Sequence, residues 1–331
     1  MDITYASSAS HAAPGFAGSF ADLIAPLPED EFFSSIVGKR PVHIPGSPDK
    51  FAFAMSWDLM NAILDQNAIW TTHTLQLVLD KGVLRPELYA YDGLARDGNR
   101  TPLVDFDKVR ALIRQGASVV LNEIETLTPG MKRISEILGR RPGGKVQGNL
   151  YCSWQKHQAF DVHFDTHDVF AMQVSGEKVW RIYQRHFKDP INHPAFKMRD
   201  PAFHHANKGA LLTEFTMRPG DLVYIPRGFY HEAMAESDAT VHMSFSVVPM
   251  IGLDVMTMLF EQSVLDDIFR QAVPQPDERG GAALDEYLMR LAGRLREMLR
   301  DPKVRAQLET QLKNFANRPQ RIKLPDDSGK N

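Results

Sequence analysis

The sequence predicts a mainly β core with flanking helices, followed by a C-terminal helical bundle. Between Val146 and Pro249 the chain consists of short runs in which apolar and polar residues alternate, separated by turns rich in Gly, Pro and Asp. This pattern is typical of an antiparallel β sandwich or barrel. After Pro249 the apolar residues recur at helical spacing, which predicts helices over 253–272, 282–300 and 302–315.

Short helices and strands are predicted before this core. Acidic residues after Pro28 suit the first turn of a helix, and Ser56 is placed to cap a helix over 57–64. Residues 40–45 are expected to be extended. A helix over 107–115 is followed by an apolar strand over 118–121. We interpret residues 1–19 as a loose N-terminal arm and residues 317–331 as an extended tail.

Composition excludes several classes of protein. The chain has 331 residues, and 38 basic against 41 acidic residues give a net charge of −3. Such a balance supplies no overall attraction to nucleic acid or to an anionic membrane. No apolar stretch is long enough to span a bilayer, and the first residues lack the basic start of a signal peptide. The single Cys152 rules out an internal disulfide and favours a reducing compartment, so we predict a cytoplasmic protein.

Three residues form a candidate metal site. His163 and Asp165 would share one side of an extended segment, and His231 follows a Pro-Arg-Gly turn later in the chain. Two imidazoles and one carboxylate are the ligands that hold Fe(II) on one face and leave other coordination positions open. The His-x-Asp spacing is common by chance, however. On spacing alone, a hydrogen-bonded turn and an ordinary buried histidine explain the same residues.

Polar residues also follow one face of two predicted strands. The first strand carries Gln147, Asn149, Tyr151 and Ser153, and the second carries Thr240, His242, Ser244 and Ser246. Half-exposed strands would show this pattern, and so would a barrel whose interior holds a polar ligand. Lys178 follows a Ser-Gly-Glu turn and shares a strand face with Trp180, which is a place for an ammonium that pairs with an anion.

The order of these motifs resembles the JmjC-type cupin oxygenases. The resemblance is carried by Asn149-Leu-Tyr151, by the run from His163-Phe-Asp165 to Lys178-Val-Trp180, and by the run from Arg218-Pro-Gly-Asp to His231. Within that family the sequence is most similar to the ribosomal-oxygenase branch, whose members are Fe(II)- and 2-oxoglutarate-dependent protein hydroxylases. The similarity is densest over residues 146–249, and weaker similarity extends back through 38–44 and 104–139.

The resemblance implies a double-stranded β-helix, the cupin or jelly-roll core, and a role for individual residues. His163, Asp165 and His231 would bind iron, with Asp165 using one oxygen. Lys178 would pair with the distal carboxylate of 2-oxoglutarate. The resemblance further implies that Tyr151 would hydrogen-bond the same carboxylate and that Asn149 would line the pocket of the cosubstrate and metal. Ser246 on the last strand would lie near the cosubstrate, although Ser244 lies on the same face.

The implied activity is that of a dioxygenase that consumes O2 and 2-oxoglutarate and hydroxylates an amino-acid side chain of a protein or peptide. A modified nucleoside or a small molecule is an alternative substrate, and lysine demethylation is less favoured. A non-catalytic metal-binding cupin scaffold is an alternative from another class. Lys178 distinguishes the two classes, because a scaffold has no need of an anchor for a carboxylate.

The resemblance also implies a domain organisation. Residues 20–249 would form the oxygenase domain with its N-terminal α/β elements, and residues 250–316 a helical region that joins two copies into a homodimer. The fullest members of the branch add a winged-helix domain, for which the remaining residues are too few. The alternative is that these amphipathic helices pack back on their own barrel.

The remaining candidate residues are predicted to be structural. Irregular spacing favours exposed loop positions over a second metal site for His157, His167, His186, His193, His204 and His205. The basic loop over 139–145 is expected to be a solvated turn. Cys152 lies on the apolar face of its strand and is predicted to be buried, and Trp154 and Trp180 are predicted to serve packing.

Overall fold

The computed structural model describes Thr4 and residues 18–66, 69–94, 98–154, 160–197, 199–275 and 281–316. The predicted tail lies outside these residues, and so does the predicted N-terminal arm except for Thr4, Gly18 and Ser19. The chain divides into two compact units, one that ends at Val248 and one that begins at Pro249.

The first unit is built on antiparallel strands. Its described residues contain β1 (Val42–Ile44), β2 (Leu75–Leu79), β3 (Gly82–Val83), β4 (Ala90–Leu94), β5 (Arg100–Val104), β6 (Ser118–Leu121), β7 (Lys145–Trp154), β8 (Asp168–Ser175), β9 (Lys178–His186), β10 (Leu211–Met217), β11 (Leu222–Ile225), β12 (Phe229–Ala235) and β13 (Ala239–Val248). The alternating runs after Val146 are thus strands, as predicted.

Most of these strands belong to two sheets. Eight strands lie in the order β1-β11-β8-β13-β7-β6-β2-β3, three lie in the order β10-β9-β12, and β4 and β5 form a separate hairpin. Side chains from both larger sheets meet in one buried cluster, which includes Ala171 and Val223 from the eight-stranded sheet and Trp180 and Ile182 from β9. The two sheets therefore face each other across an interior, as in a double-stranded β-helix.

Helices cover the outer face of the large sheet. They are α1 (Phe20–Ile24), α2 (Glu29–Glu31), α3 (Trp57–Leu64), α4 (Phe106–Arg114) and α5 (Pro129–Leu138), and two short helices, α6 (Pro194–Lys197) and α7 (Pro201–Asn207), lie between β9 and β10. The predicted cap of α3 is confirmed, because the Ser56 side chain accepts a hydrogen bond from the backbone N–H of Leu59.

Strand β8 shows how the two faces of the large sheet differ. Phe170 and Met172 point into the helix-covered core, where the Phe170 ring lies 6.1 Å from that of Phe32. Val169 and Ala171, one position away, point between the two sheets. Strand β7 divides in the same way. Cys152 is buried in the helix-covered core, as predicted, with its Sγ 3.1 Å from the sulfur of Met60.

A tight turn joins β8 to β9 and determines where β9 begins. Gly176 has a φ of +66°, a left-handed conformation that side chains rarely adopt, and a Cβ atom there would collide with the carbonyl oxygen of Ala239. Glycine is therefore required at this position. The turn places Lys178 at the first position of β9, inside the space between the sheets.

The second unit is helical and has its own small core. It contains α8 (Gly252–Ser263), α9 (Asp267–Arg270), α10 (Ala282–Arg300) and α11 (Pro302–Asn314). Met258, Leu259, Met298 and Val304 are buried together. The prediction of one helix over 253–272 is wrong. The helix breaks because Asp266 adopts an extended backbone, caps α9 through the N–H of Ile268 and pairs with Arg294.

Among the described residues, no helix combines the length and the apolar character that a membrane span requires.

Candidate metal centre and adjoining cavity

Three side chains from two segments converge in the interior of the first unit. His163, Asp165 and His231 each offer a ligand atom, and these atoms lie within 4.8 Å of one another. The Nε2 atom of His231 lies 3.5 Å from one oxygen of Asp165, and the Nε2 atom of His163 lies 4.0 Å from the other. In the described part of the chain this is the one such group of His, Cys, Asp and Glu.

The segment that carries His163 and Asp165 is a loop with a single bridge, in which the backbones of His163 and His231 exchange two hydrogen bonds of 3.1 and 2.8 Å. The side chains of His163 and Asp165 reach the same cluster, as predicted. A second anchor comes from the carbonyl oxygen of Asp165, which accepts a hydrogen bond from the N–H of Gly228 at 2.8 Å. The loop is therefore tied to the start of β12 on both sides of the cluster.

Backbone carbonyls orient both imidazoles. The Nδ1 atom of His163 lies 2.8 Å from the carbonyl oxygen of Asp161, and the Nδ1 atom of His231 lies 2.9 Å from that of Phe229. Because a carbonyl oxygen only accepts, each Nδ1 carries the proton in the neutral ring, and each Nε2 offers a lone pair toward Asp165. In metal sites, a histidine is usually oriented in this way, by a hydrogen bond from the ring nitrogen that does not bind the metal.

The charges of the cluster suit a metal cation. Burial and the neighbouring His163 lower the pKa of His231 to about 4, so its ring is neutral at physiological pH. Burial alone would raise the pKa of Asp165, but His167, His163 and His231 outweigh it and lower the pKa. The carboxylate of Asp165 therefore faces the neutral imidazole of His231. These are the protonation states in which the two side chains bind a divalent cation.

A cavity of about 370 Å³ opens beside the cluster. Residues from both sheets and from the metal-site loop line it: Asn149, Tyr151, Phe160, His163, Asp165, His167, Val169, Lys178, Trp180, His231, Ala233, His242, Ser244 and Ser246. Part of each polar face predicted for β7 and β13 thus lines the cavity, whereas Gln147 is exposed. All seven residues that the sequence nominates for the metal and the cosubstrate lie at this one cavity.

Lys178 brings a buried positive charge to this cavity. The residue is 4% exposed, and burial lowers the pKa of its ammonium group to about 8. Among the described residues, no carboxylate forms an ion pair with Lys178, although buried ammonium groups are usually paired. An ammonium in this position is a binding group for an anion that enters the cavity.

The other predicted cosubstrate residues surround the same space. Tyr151 and Asn149 project from β7, and the Oδ1 atom of Asn149 is buried without a hydrogen-bond partner. Burial and the charge of Asp165 raise the pKa of Tyr151 to about 12, so its hydroxyl keeps its proton. Ser246 donates a hydrogen bond to the carbonyl oxygen of Gln147 at 3.1 Å, and both it and Ser244 line the cavity.

For two residues of the cavity lining, the sequence predicts other roles. Trp180 packs between the sheets, as predicted, but it also lines the cavity, and its indole N–H is buried without a partner. His167 was expected to be an exposed loop residue and instead lies at the cavity, half-buried. Its position two residues after Asp165 was the available signal, because the same loop carries both.

The other histidines only partly match the prediction. His186 and His193 are exposed, and His157 lies outside the described residues. His204 and His205 are not in a loop but on α7. His204 packs at 5.4 Å from the ring of Phe164, and the Nε2 atom of His205 lies 3.1 Å from a carboxylate oxygen of Asp161.

Asp161 ties α7 and the N-terminal elements to the metal-site loop. Its carboxylate contacts His205 and, at 3.1 Å, the Nζ atom of Lys81, while its backbone carbonyl orients His163. The basic loop over 139–145 exposes its three basic residues, as predicted, and Arg141 also makes contacts within the protein. Arg141 pairs with Glu29 and lies 4.2 Å from the ring of Phe33.

Comparison with known families finds a match to the part of the chain that holds this site. Residues 120–253 match the family model described as the JmjC domain. The matched range contains β7 to β13 and every residue of the metal cluster and the cavity. This part of the chain is similar to the JmjC domain, and its antiparallel sheets with flanking helices have the cupin architecture that the sequence predicts.

Similar proteins carry names from the branch that the sequence resembles. A protein of Culex quinquefasciatus named bifunctional lysine-specific demethylase and histidyl-hydroxylase NO66 is 26% identical over 220 residues, which cover 66% of this chain and 32% of that protein. Ribosomal oxygenase 1 of Rattus norvegicus is 28% identical over 137 residues, which cover 41% of this chain and 22% of that protein. The chain thus aligns with about a third or less of the length of these two relatives.

A solved structure shares the architecture. The ribosomal oxygenase YcfD of Escherichia coli, in complex with cobalt and 2-oxoglutarate, superposes with a TM-score of 0.56 at 16% sequence identity, covering 91% of this chain and 74% of that one. At this identity the likeness establishes the fold.

Proposed function

We propose that this protein is an Fe(II)- and 2-oxoglutarate-dependent oxygenase that hydroxylates an amino-acid side chain of a protein or peptide. One observation supports the proposal above all others. A buried, unpaired ammonium group, that of Lys178, shares a cavity with a cluster of two histidines and one aspartate. A site that only binds a metal needs no such cation, whereas a site that binds a chelating dicarboxylate does.

The donor set fits iron. His163, Asp165 and His231 lie on one side of the cavity, and two imidazoles with one carboxylate are the ligands that non-haem Fe(II) oxygenases use. These three side chains would hold the metal at the wall of the cavity, where a further ligand could reach it. Softer metals are less favoured, because the cluster contains no thiolate, and Cys152 points away into the helix-covered core.

The cavity lining fits 2-oxoglutarate. Lys178 and the hydroxyl of Tyr151 supply donors for the distal carboxylate, and the buried N–H of Trp180 has no partner among the described residues. Buried polar groups rarely stay unpaired. A dicarboxylic 2-oxo acid would supply acceptors for these donors at one end, and its keto acid end would then face the three metal ligands.

The residues of the chain then provide binding, orientation and exclusion of water. When bound, iron and 2-oxoglutarate supply the oxidative step, in which O2 is consumed, succinate and carbon dioxide are released, and a C–H group of the substrate becomes C–OH. Lys178 holds the cosubstrate by a charge-assisted pair. Phe160, Val169 and Trp180 form apolar walls that limit the access of water.

The proposed substrate is a protein or peptide. Support comes from the relatives, whose names are those of a histidyl-hydroxylase and a ribosomal oxygenase. We accordingly propose a side chain of a ribosomal protein as the first substrate to test. Mass spectrometry of ribosomal proteins incubated with the wild type or with His163→Ala would show an added oxygen only with the wild type.

Anaerobic titration tests the cofactor assignment directly. We expect 2-oxoglutarate to produce a weak visible charge-transfer band with the Fe(II)-loaded wild type and to yield succinate when air is admitted. His163→Ala should remove metal binding, whereas Lys178→Ala should leave the metal in place and weaken cosubstrate binding about tenfold to a hundredfold. A wild type that binds metal but shows neither the band nor succinate is a metal-binding scaffold, and the proposal fails.

We further propose that residues 250–316 join two copies of the chain, next to an oxygenase domain over 20–249. Leu253, Met256, Phe260 and Val264 lie three or four positions apart on one side of α8, and each is at least 50% exposed. An apolar stripe of this kind is typical of a helix that packs on a partner. A cytoplasmic location is consistent with the single, buried cysteine.

A further inference from the structure

His242 occupies a central position in the cavity wall. It lies on β13, directly opposite Tyr151 of β7 in the register of the large sheet. The residue is 5% exposed, and its side chain lines the cavity that holds Lys178 and the metal cluster. It is not a member of that cluster.

Two aromatic rings fix the orientation of the imidazole. The His242 ring is stacked on that of Tyr151, with centroids 4.8 Å apart and an angle of 9° between the planes. The edge of Trp180, from the facing sheet, meets it at 5.9 Å and 84°. Because both neighbouring side chains are rigid rings, the imidazole cannot rotate toward another hydrogen-bond partner.

The polar atoms of this ring have no partner in the protein. Among the described residues nothing forms a hydrogen bond with His242, and its Nδ1 atom is fully buried. Buried polar side-chain atoms are nearly always hydrogen-bonded to protein, water or ligand. The Asn149 oxygen and the Trp180 N–H at the same cavity share this lack of a partner. Several unpaired polar groups around one space indicate that a polar ligand belongs there.

The imidazole is uncharged beside a charged neighbour. Burial and the ammonium of Lys178 hold the pKa of His242 well below its ordinary value. A neutral imidazole still carries one N–H donor, and it does not repel the ammonium group of Lys178. The pair therefore presents one cation and one neutral donor, which together suit a carboxylate with two oxygens.

We propose that His242 binds the distal carboxylate of 2-oxoglutarate together with Lys178 and so makes the site selective for a dicarboxylic 2-oxo acid. This assignment rests on the proposed function. Lys178 supplies the charge, and the N–H of His242, held by Tyr151 and Trp180, supplies a directed hydrogen bond. A 2-oxo acid that ends in a methyl group would leave both donors unpaired.

Binding of two ligands to the metal-loaded protein tests the assignment without turnover. 2-Oxoglutarate and 2-oxopentanoate have the same chain length and the same chelating end, but only the first has a distal carboxylate. Calorimetric titration under anaerobic conditions gives both affinities. His242→Phe keeps the ring stack and loses the N–H, so we expect its Kd for 2-oxoglutarate to rise about tenfold to a hundredfold, with that for 2-oxopentanoate unchanged.

Two further variants define the cause of such a change. His242→Gln restores an N–H donor without the ring and should recover part of the affinity for 2-oxoglutarate. His186→Phe is the matched control, because His186 is also stacked on an aromatic ring, that of Phe229 at 4.7 Å, but is exposed and outside the cavity. Its affinities should equal those of the wild type. Metal affinity should be the same in all four proteins.

Each outcome separates this assignment from the proposed function. If the wild type binds 2-oxoglutarate and His242→Phe binds it equally well, the role of His242 is refuted while the oxygenase proposal stands. Equal losses for both ligands would mean that His242 only packs the wall, which also refutes the role. If the wild type does not prefer 2-oxoglutarate to 2-oxopentanoate, both proposals fail together.

Discussion

Lys178 shows how burial adjusts a single charge for a ligand. Its ammonium group is charged at neutral pH, because its pKa is lowered only to about 8, yet no carboxylate of the described chain neutralises it. The empty protein therefore carries the cost of a buried cation, which an incoming dianion removes. In the proposed function, cosubstrate binding would supply the negative charge that Lys178 lacks.

This lowered pKa predicts how cosubstrate affinity depends on pH. Below about pH 8 Lys178 is charged and attracts the carboxylate, so the Kd for 2-oxoglutarate should be constant there and rise as the pH increases through 8 and above. In the empty protein, folding stability should increase with pH between about 8 and 10.5, because the unfolded chain then binds the extra proton. Anaerobic calorimetry from pH 7 to 9.5 measures the first effect.

Lys178→Arg is the control for this dependence. A guanidinium keeps its charge throughout this range, so the variant should show a flat profile even where its affinity is lower. A wild-type Kd that does not change up to pH 9.5 would show that Lys178 is not the group that senses the pH.

At the scale of elements, the turn between β8 and β9 determines whether Lys178 reaches the cavity. Gly176→Ala places a side chain in a left-handed conformation and against the carbonyl of Ala239. We expect a loss of about 3 kcal/mol of unfolding free energy, the sum of backbone strain and overpacking. Cosubstrate affinity should fall as well, because the turn shifts Lys178. Chemical denaturation and calorimetry measure the two effects.

Gly98 provides a matched comparison. It also has a positive φ, +81°, but a Cβ atom there has no neighbour within 4 Å. Gly98→Ala should therefore cost only the backbone strain, about 1–2 kcal/mol, and leave cosubstrate binding unchanged. Equal losses in the two variants would contradict the collision with Ala239.

Elements whose signals are local could be predicted from the sequence. The cap at Ser56, the alternation of β7 and β13, and the helix over 282–300 depend on neighbouring residues and match the structure. The helix over 253–272 did not, because the break at Asp266 depends on Arg294, which is distant in sequence. The shape of the metal-site loop could not be predicted for a similar reason. Its shape is set by hydrogen bonds to His231 and Gly228.

The same difference between local signals and contacts distant in sequence applies to the candidate site. Strand alternation already placed Tyr151 and His242 on inward faces, but their contact with each other requires the register of two strands that are about 90 residues apart. The cavity position of His167 had one signal in the sequence, its place two residues after Asp165, whereas the irregular spacing of the histidines alone does not separate it from the exposed His193. The pairing of His205 with Asp161 also depends on how α7 packs, and no local pattern encodes it.

At the scale of the whole molecule, the exposed stripe on α8 predicts the oligomeric state. Light scattering coupled to size exclusion should give the mass of two chains for the wild type. Phe260→Glu places a charge in the middle of the stripe and should shift the mass toward one chain. Thr310→Glu, at an exposed position of α11 outside the stripe, should leave the dimer intact. A monomeric wild type would contradict the proposed interface.

The two faces of β7 have a chemical consequence for the proposed oxygenase. Tyr151 stands on the side of the cavity, while Cys152, the next residue, is turned toward Met60 in the opposite core, and burial raises the pKa of its thiol. The one sulfhydryl of the chain is thereby kept protonated and lies away from the space in which the proposed oxidation would take place.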